Sequence, residues 1–262
     1  MSEFARTGRS RPGVAVVVGG SGGLGSAAAE RLAADGHHVV ITGRREDALA
    51  AVAARIRDAG GQVDARVLDT GDPEAVRAVF AAIARDIGTV ATLVLSAGTN
   101  TPQRWWSTLT DEDFSRIVDT NLSSVTRCIL PVLPGMREAG FGQIVVISSW
   151  AGFRYMSVAG AAYGSSKTGL SFLVESLNDQ EGRSGIRATL LCPGEVDTPI
   201  LKTRNPPPPQ EEVDRMLVPE NVAEAVSWIT SLPSGVCVNE LVLTPTWNRI
   251  YVADSAYPPK GS

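Results

Sequence analysis

A glycine-rich turn between a strand and a helix limits this chain to a small number of folds. Val14 to Val18 is an unbroken apolar run rich in valine, which is typical of a buried strand. The turn Gly19 to Gly25 follows, and Ser26 to Ala34 has helical composition. Glycine allows close backbone approach, and a helix N-terminus presents free N–H groups to an anion. This segment therefore predicts a binding site for the pyrophosphate of a dinucleotide.

The glycine spacing of this turn fits two known patterns. Gly20, Gly22 and Gly25 fit G-x-G-x-x-G, whereas Gly19, Gly23 and Gly25 fit G-x-x-x-G-x-G. The alternative is a merely flexible glycine loop. However, His38 to Thr42 supplies a second strand at the distance that a βαβ unit requires, which favours the binding site.

Apolar strands and helical segments then alternate along the chain. The predicted helices include 46–59 and 73–86, and the predicted strands include 62–68, 91–95, 142–147 and 239–243. This alternation predicts an α/β protein with a Rossmann-type, doubly wound, seven-stranded parallel sheet and helices on both faces. We expect a single domain over 13–250, a flexible N-terminal arm over 1–12 and a C-terminal tail over 251–262.

Composition excludes several classes of function. The 262 residues are 44% hydrophobic and 20% charged, which suits a globular domain with a full core. With a net charge of −4 and a pI near 5.3, the chain lacks the basic surface that binds nucleic acids or membranes. Cys128, Cys192 and Cys237 are widely spaced, so we expect free thiols, a cytoplasmic protein and no metal site.

Two arginines after the second strand bear on the choice of cofactor. An acidic residue there would bond the ribose 2′-hydroxyl of NAD, but Arg44 and Arg45 stand in its place. Because a guanidinium donates two charge-assisted hydrogen bonds to a phosphate, NADP(H) is favoured over NAD(H). The alternative is that both arginines cap a turn and pair with Glu46 or Asp47.

Serine, tyrosine and lysine side chains suggest a catalytic site. Strand 142–147 delivers Ser148 and Ser149 at its C-terminal end, where α/β sheets bind ligands. Tyr163 and Lys167 lie four residues apart and therefore share one face of a helix. A cation lowers the pKa of a nearby phenol and suits it to acid–base chemistry, while a serine hydroxyl can bind the same substrate oxygen. Taken alone, the tyrosine–lysine spacing also fits an ordinary surface helix.

Several motifs together resemble those of the short-chain dehydrogenase/reductase family, over Val14 to Trp247. Val18 to Gly25 resembles the family's T-G-x-x-x-G-x-G with valine for threonine, and Leu95 to Gly98 resembles N-N-A-G with leucine and serine for the asparagines. The other matches are the asparagine segment 119–122, the serines 148–149, the Y-x-x-x-K at 163–167 and the P-G-x-V-x-T-P at 193–199.

The resemblance implies roles for four residues. Tyr163 is the implied acid/base, and Lys167 is its pKa-lowering partner and a ligand of the nicotinamide ribose. Ser149 would position the substrate oxygen and is preferred to Ser148 because the family's S-x-x-G pattern points to it. Asn121 would hold a water that links the lysine to solvent, although a helix N-cap or a satisfied buried amide is the alternative.

The resemblance also implies the cofactor contacts. Asp69 would bond the adenine amino group, and Val196 and Thr198 would hold the nicotinamide carboxamide, although Thr198 could equally cap a helix ahead of Pro199. The full implied set is Gly19, Ser21, Gly22, Gly23, Leu24, Gly25, Arg44, Arg45, Asp69, Thr70, Ser96, Ala97, Gly98, Tyr163, Lys167, Pro193, Gly194, Val196 and Thr198.

The substrate region is less clearly marked. The candidate pocket residues are Trp105, Trp150, Phe153, Tyr155 and Glu195, several of which could instead close the core or face another subunit. The proline-rich stretch within 199–218 suits a lid, and Lys202 and Arg204 suit either an anionic substrate or a solvated rim. Acyl intermediates, steroids, sugars, hydroxy acids and small secondary alcohols all fit this scaffold.

The function predicted from these features is NADPH-dependent reduction of a ketone. The alternatives are NAD-dependent alcohol oxidation at the same site and a non-catalytic dinucleotide sensor, which would be expected to lack part of the serine, tyrosine and lysine set. A lyase or epimerase would need a larger C-terminal domain than this chain has. The resemblance also implies a homotetramer or dimer packed through the helices of Asn121 and Tyr163. Supporting apolar positions are Ile129, Leu133, Leu170, Leu173 and Val174.

Overall fold

The structure is a computed structural model that describes residues 13–199, 201, 207–248 and 251. The predicted arm over 1–12, the predicted tail beyond residue 251, and Lys202 and Arg204 lie outside the described residues. Seven parallel strands form one sheet, in the order β3-β2-β1-β4-β5-β6-β7. The strands are β1 (Val14–Val18), β2 (His38–Gly43), β3 (Gln62–Val67), β4 (Val90–Leu95), β5 (Gly142–Ile147), β6 (Ile186–Pro193) and β7 (Glu240–Leu243).

Helices connect the strands and cover both faces of the sheet. They are α1 (Gly23–Ala34), α2 (Glu46–Asp58), α3 (Pro73–Asp86), α4 (Asp111–Val118), α5 (Ser124–Ile129), α6 (Leu133–Ala139), α7 (Trp150–Phe153), α8 (Ala161–Glu181), α9 (Gln210–Val213) and α10 (Pro219–Ser231). A π-helical turn, Asp119–Ser123, joins α4 to α5, and a 3₁₀ turn, Ser157–Ala159, precedes α8. The predicted doubly wound, seven-stranded Rossmann-type fold is confirmed.

Local sequence explains where these elements begin. The Asp72 side chain caps α3 by accepting hydrogen bonds from Glu74 N at 2.9 Å and Ala75 N at 3.1 Å, and Pro73 occupies the first helical position. In β1, Val16 and Val18 pack into the core on one face of the sheet, whereas Val17 packs into the core on the other. A strand buried on both faces reads as an unbroken apolar run, which is why the periodicity identified it.

The apolar positions expected to face another subunit pack inside this chain instead. Ile129, Leu133, Leu170 and Val174 are buried in the core between the helices and the sheet, and Leu173 packs against it. That expectation is therefore wrong for these residues, because the apolar faces of α5, α6 and α8 cover their own sheet. The large apolar side chains that these helices leave exposed are Phe172, at 82%, and Leu130, just after α5, at 61%.

Two negative findings apply to the described part of the chain. Within it, no helix has both the length and the apolar character needed to cross a bilayer. The same residues contain no group of three or more His, Cys, Asp or Glu side chains placed to hold a metal ion.

Candidate active site

The chain direction of the sheet reverses between β1 and β4, and the glycine turn lies at this point. Such switch points are where open α/β sheets bind ligands. Ser96 N donates to Val18 O at 2.9 Å, so the two strands remain joined up to their C-terminal ends. Gly19 N and Gly20 N both donate to Thr42 O, at 2.9 and 3.0 Å, which anchors the turn to β2.

Two glycines in this turn cannot be replaced without displacing backbone. Gly19 has a φ of +85°, and a Cβ on it would lie 2.7 Å from Ala97 N. A Cβ on Gly25 would lie 2.2 Å from Gly19 O. The turn is therefore folded tightly against β4 and the start of α1. Helix α1 begins at Gly23 without a side-chain cap, which leaves its first N–H groups for an anionic ligand.

A cavity of about 330 Å³, here called the glycine-turn cavity, opens beside this turn. It is lined by Val18, Gly19, Ser21, Gly22, Thr42, Gly43, Arg44, Arg45, Leu68, Asp69, Thr70, Gly71, Ser96, Ala97, Gly98, Thr99 and Thr120. Ten predicted cofactor contacts line it: Gly19, Ser21, Gly22, Arg44, Arg45, Asp69, Thr70, Ser96, Ala97 and Gly98. The sequence gave no reason to single out Thr42, Thr99 or Thr120.

The arginines of this cavity are placed for a phosphate. Both are exposed, and Arg45 donates to Ser21 O at 3.4 Å. Among the described residues, neither arginine forms an ion pair with Glu46 or Asp47, the pairing considered from sequence. Glycine backbone, the uncapped end of α1 and two guanidinium groups therefore form a donor set that fits a phosphorylated dinucleotide.

A second cavity of about 120 Å³ lies beyond the ends of β5 and β6. It is here called the hydroxyl cavity and is lined by Leu24, Asn100, Arg104, Ser148, Ser149, Trp150, Ala151, Met156, Val158, Ala159, Tyr163, Pro193, Gly194, Glu195, Val196, Thr198 and Leu201. It thus contains Leu24, Pro193, Gly194, Val196 and Thr198, which were predicted to contact the cofactor. Gly23 lies at its edge, where a Cβ would be 3.9 Å from Thr198 Cγ2.

The two serines at this cavity make different hydrogen bonds. Ser148 Oγ donates its proton to Lys167 O at 3.1 Å, a buried contact. Ser149 caps α7, and its Oγ accepts from Ala151 N at 3.2 Å. That capping bond leaves the Ser149 proton available to another acceptor, whereas the Ser148 proton is already used. The geometry thus gives a physical reason to favour Ser149 as the group that binds a substrate oxygen.

Lys167 is a buried cation beside Tyr163. Its Nζ lies 5.8 Å from the centroid of the Tyr163 ring and donates to Ile147 O at 2.9 Å. Burial lowers the pKa of Lys167 to about 8, because desolvation disfavours the ammonium form. A phenol and an ammonium are therefore brought together on α8, as the four-residue spacing predicted.

Asn121 lies in the π-helical turn, and its side-chain hydrogen bonds are satisfied by protein groups. Its Oδ1 accepts from Thr99 N at 2.8 Å, while its Nδ2 donates to Thr99 O at 2.9 Å and to Ser166 Oγ at 3.1 Å. This is the satisfied buried amide that was the alternative in the sequence analysis. A water held between this segment and Lys167 stays a prediction.

The substrate residues predicted from aromatic character are only partly correct. Trp150 and Glu195 line the hydroxyl cavity, but the structure does not place Trp105, Phe153 or Tyr155 in its wall. Trp105 is 58% and Tyr155 89% exposed, and Phe153 packs edge-on against the outside of Trp150 with ring centroids 5.6 Å apart. The physical reason is that α7 is a single turn, so residues beyond it leave the cavity.

Asn100, Arg104 and Val158 take up the wall positions that the aromatic residues do not fill. All three lie in loops, where no hydrophobic period marks an inward-facing side chain. A polar and a charged residue shortly after a strand end was the only available signal.

Comparison with known proteins gives a consistent result. The profile of the short chain dehydrogenase family matches residues 13–209. An uncharacterized oxidoreductase of Staphylococcus saprophyticus is 33% identical over 236 residues, which are 88% of this chain and 97% of that protein. A 3beta-hydroxysteroid dehydrogenase of Mediterraneibacter gnavus is 35% identical over 195 residues, covering 74% of this chain and 70% of that one. A crystal structure of a variant actinorhodin polyketide ketoreductase with NADPH has a TM-score of 0.81 at 30% identity, covering 88% of this chain and 95% of that one.

Proposed function

The chain belongs to the short-chain dehydrogenase/reductase family of oxidoreductases that act on CH–OH and C=O groups, and we propose that it reduces a ketone with NADPH. One observation carries this proposal. The hydroxyls of Ser149 and Tyr163 line a single cavity, and the Lys167 ammonium lies directly beside the tyrosine. That arrangement supports proton transfer to one substrate oxygen.

The proposed mechanism assigns one task to each side chain. When bound, the nicotinamide supplies the hydride that adds to the carbonyl carbon. Tyr163 donates its phenolic proton to the carbonyl oxygen, which becomes the alcohol hydroxyl. Lys167 stabilises the resulting phenolate by charge, and Ser149 donates a hydrogen bond to the oxygen as negative charge develops on it. The buried site excludes water from the ammonium, which strengthens its effect on the phenol.

The preference for NADPH rests on Arg44 and Arg45. Both line the glycine-turn cavity at the end of β2, where NAD-specific sites carry an acidic residue. Arg45 contacts the turn through Ser21 O, whereas Arg44 has no hydrogen bond or ion pair among the described residues. Arg44 is therefore the arginine that we assign to the 2′-phosphate. The ketoreductase structure similar to this chain contains NADPH, which supports the same choice.

Binding titrations of NADPH and NADH to wild type, Arg44→Ala and Arg45→Ala test the assignment. We expect NADPH to bind wild type about tenfold or more tightly than NADH, and Arg44→Ala to lose most of that difference because a charge-assisted phosphate contact is removed. Arg45→Ala is the matched control and should retain most of it. Tighter binding of NADH to wild type would contradict the NADPH preference.

Turnover with a panel of ketones tests catalysis separately from binding. Tyr163→Phe should lower kcat by about a hundredfold or more while the NADPH Kd stays unchanged, because only the proton donor is lost. Tight NADPH binding by wild type without turnover of any ketone would contradict the reductase and favour the dinucleotide sensor.

We also propose a homo-oligomer, a dimer or tetramer, in the cytoplasm. Phe172 on α8 and Leu130 just after α5 are exposed apolar side chains on the helical side of the sheet that carries the active site. Cys128, Cys192 and Cys237 are free thiols, which suits a reducing compartment. Burial raises the pKa of Cys128 and of Cys192 to about 12, so neither is a reactive thiolate.

A further inference from the structure

We propose that Asn100 and Arg104 are positioning residues that hold the start of helix α8, and with it Tyr163, against the hydroxyl cavity. The inference rests on the proposed acid–base role of Tyr163. Both side chains line the cavity, yet the hydrogen bonds they form there join two loops of the main chain. The loop after β4, residues 99–104, thereby becomes a support for α8.

Three hydrogen bonds make up this support. Asn100 Nδ2 donates to Ala159 O at 3.0 Å, and Arg104 Nη1 donates to Val158 O at 3.1 Å. Arg104 Nε donates to Thr101 O at 2.7 Å, which fixes the guanidinium relative to its own loop. Two consecutive carbonyls of the 3₁₀ turn before α8 are thus held by side chains from the loop after β4.

Close packing at Gly160 adds to these hydrogen bonds. This residue is the N-cap of α8 and has a φ of +81°. A Cβ on it would lie 2.8 Å from Arg104 Cβ and 2.9 Å from Arg104 O, so only glycine allows the loop to approach this closely. The contact lies immediately before the helix, which begins at Ala161.

Tyr163 depends on this contact because it lies in the first turn of α8. The first turn of a helix lacks the hydrogen bonds from a preceding turn and so depends on external contacts for its placement. Lys167, one turn further along, is held separately by its bond to Ile147 O. Loss of the support would therefore move the phenol relative to a fixed ammonium.

The other end of the loop is also held. Thr99 N and O are both bonded to the Asn121 side chain, at 2.8 and 2.9 Å. The loop 99–104 is thereby fixed between the π-helical turn and the start of α8. The sequence places Asn100 and Arg104 far from Tyr163, and this double attachment brings them into the same wall.

Gly160→Ala tests the proposal, with Gly140→Ala as its matched control. Both glycines flank a helix with positive φ, at +81° and +65°, so alanine introduces comparable backbone strain at each. At Gly140, however, a Cβ would have no atom within 4 Å. We expect both variants to lose some thermal stability, but only Gly160→Ala to lose kcat, by about tenfold or more, with an unchanged NADPH Kd.

Arg104→Gln and Arg104→Lys provide a second test through the pH profile. The glutamine variant should shift the apparent pKa of the catalytic acid upward, because the phenol moves away from the ammonium. The lysine variant keeps a cation that can bond Val158 O, and it should recover part of the wild-type kcat and pH profile. A uniform loss of stability without a change in the pH profile would contradict the proposal.

A titration of the phenol separates this inference from the proposed function. The ionisation of Tyr163 is measured as the difference in ultraviolet absorbance between each protein and its Tyr163→Phe counterpart. An upward shift in Gly160→Ala, absent in Gly140→Ala, supports the positioning role even if no ketone is turned over. Equal phenol titration and equal kcat in the two glycine variants would overturn the inference and leave the proposed function standing.

Discussion

Lys167 is the residue whose environment departs most clearly from that of a free amino acid. Its side chain is buried against the end of β5, and its Nζ donates to Ile147 O at 2.9 Å. Desolvation lowers the pKa of this ammonium to about 8, from an ordinary value of 10.5. At neutral pH the lysine still carries the charge that a phenolate needs, although at a cost in folding free energy.

We predict that Lys167 titrates near pH 8 in the folded protein. The chain contains three lysines, at positions 167, 202 and 260, so carbon-13 labelling of the lysine ε-carbon should give a simple NMR spectrum in which Lys167→Met identifies the signal. Because the folded protein binds fewer protons than the unfolded chain between about pH 8 and 10.5, the unfolding free energy should rise with pH across this window. The rise should be lost in Lys167→Met. Titration of the assigned signal near 10.5 would contradict the prediction.

Two buried amides connect elements of the fold in the same way. Asn121 clamps Thr99, and Asn178 of α8 clamps Ala188 of β6 by accepting from its N at 2.7 Å and donating to its O at 2.9 Å. Each amide replaces main-chain bonds that the neighbouring loop or strand would otherwise lack. Only the Asn121 clamp reaches the hydroxyl cavity, since Thr99 leads into the loop that contains Asn100 and Arg104.

We predict that Asn121→Ala and Asn178→Ala have similar effects on stability but different effects on catalysis. Each should lower the free energy of unfolding by about 1–3 kcal/mol, because backbone groups lose their partners. Calorimetry should therefore show a decrease in Tm of about 2–4 °C per kcal/mol for both. Asn121→Ala should also lower kcat, since the loop 99–104 is freed at one end. Equal kcat in the two variants would show that the clamp serves stability alone.

On the scale of the whole molecule, the sequence predicted the sheet better than the substrate wall. β1 and β5 have the predicted bounds because strands buried on both faces appear as unbroken apolar runs. Asn100, Arg104 and Val158 come from two loops that lack periodicity, so only tertiary packing identifies them as cavity residues. Helical spacing likewise identified Leu170 and Val174 as apolar positions, but it could not show whether they face the chain's own sheet or another subunit.

The exposed apolar side chains lead to a prediction about assembly. Phe172 is 82% exposed on α8, the helix that carries Tyr163, and an exposed phenylalanine there is costly unless a partner covers it. Trp106 is also 82% exposed but lies in the loop after β4. We expect wild type to sediment as a dimer or tetramer, and Phe172→Glu to sediment as a smaller species because an interface cannot bury an unpaired carboxylate.

Trp106→Glu is the matched control, since it places the same charge at an equally exposed aromatic position outside α8. It should leave the mass measured by analytical ultracentrifugation unchanged. Turnover per subunit then decides what assembly contributes. A smaller Phe172→Glu species with wild-type kcat would mean that α8 holds Tyr163 without help from a partner, whereas a parallel loss of kcat would mean that the subunit contact stabilises the same helix. A monomeric wild type at micromolar concentration would contradict the interface itself.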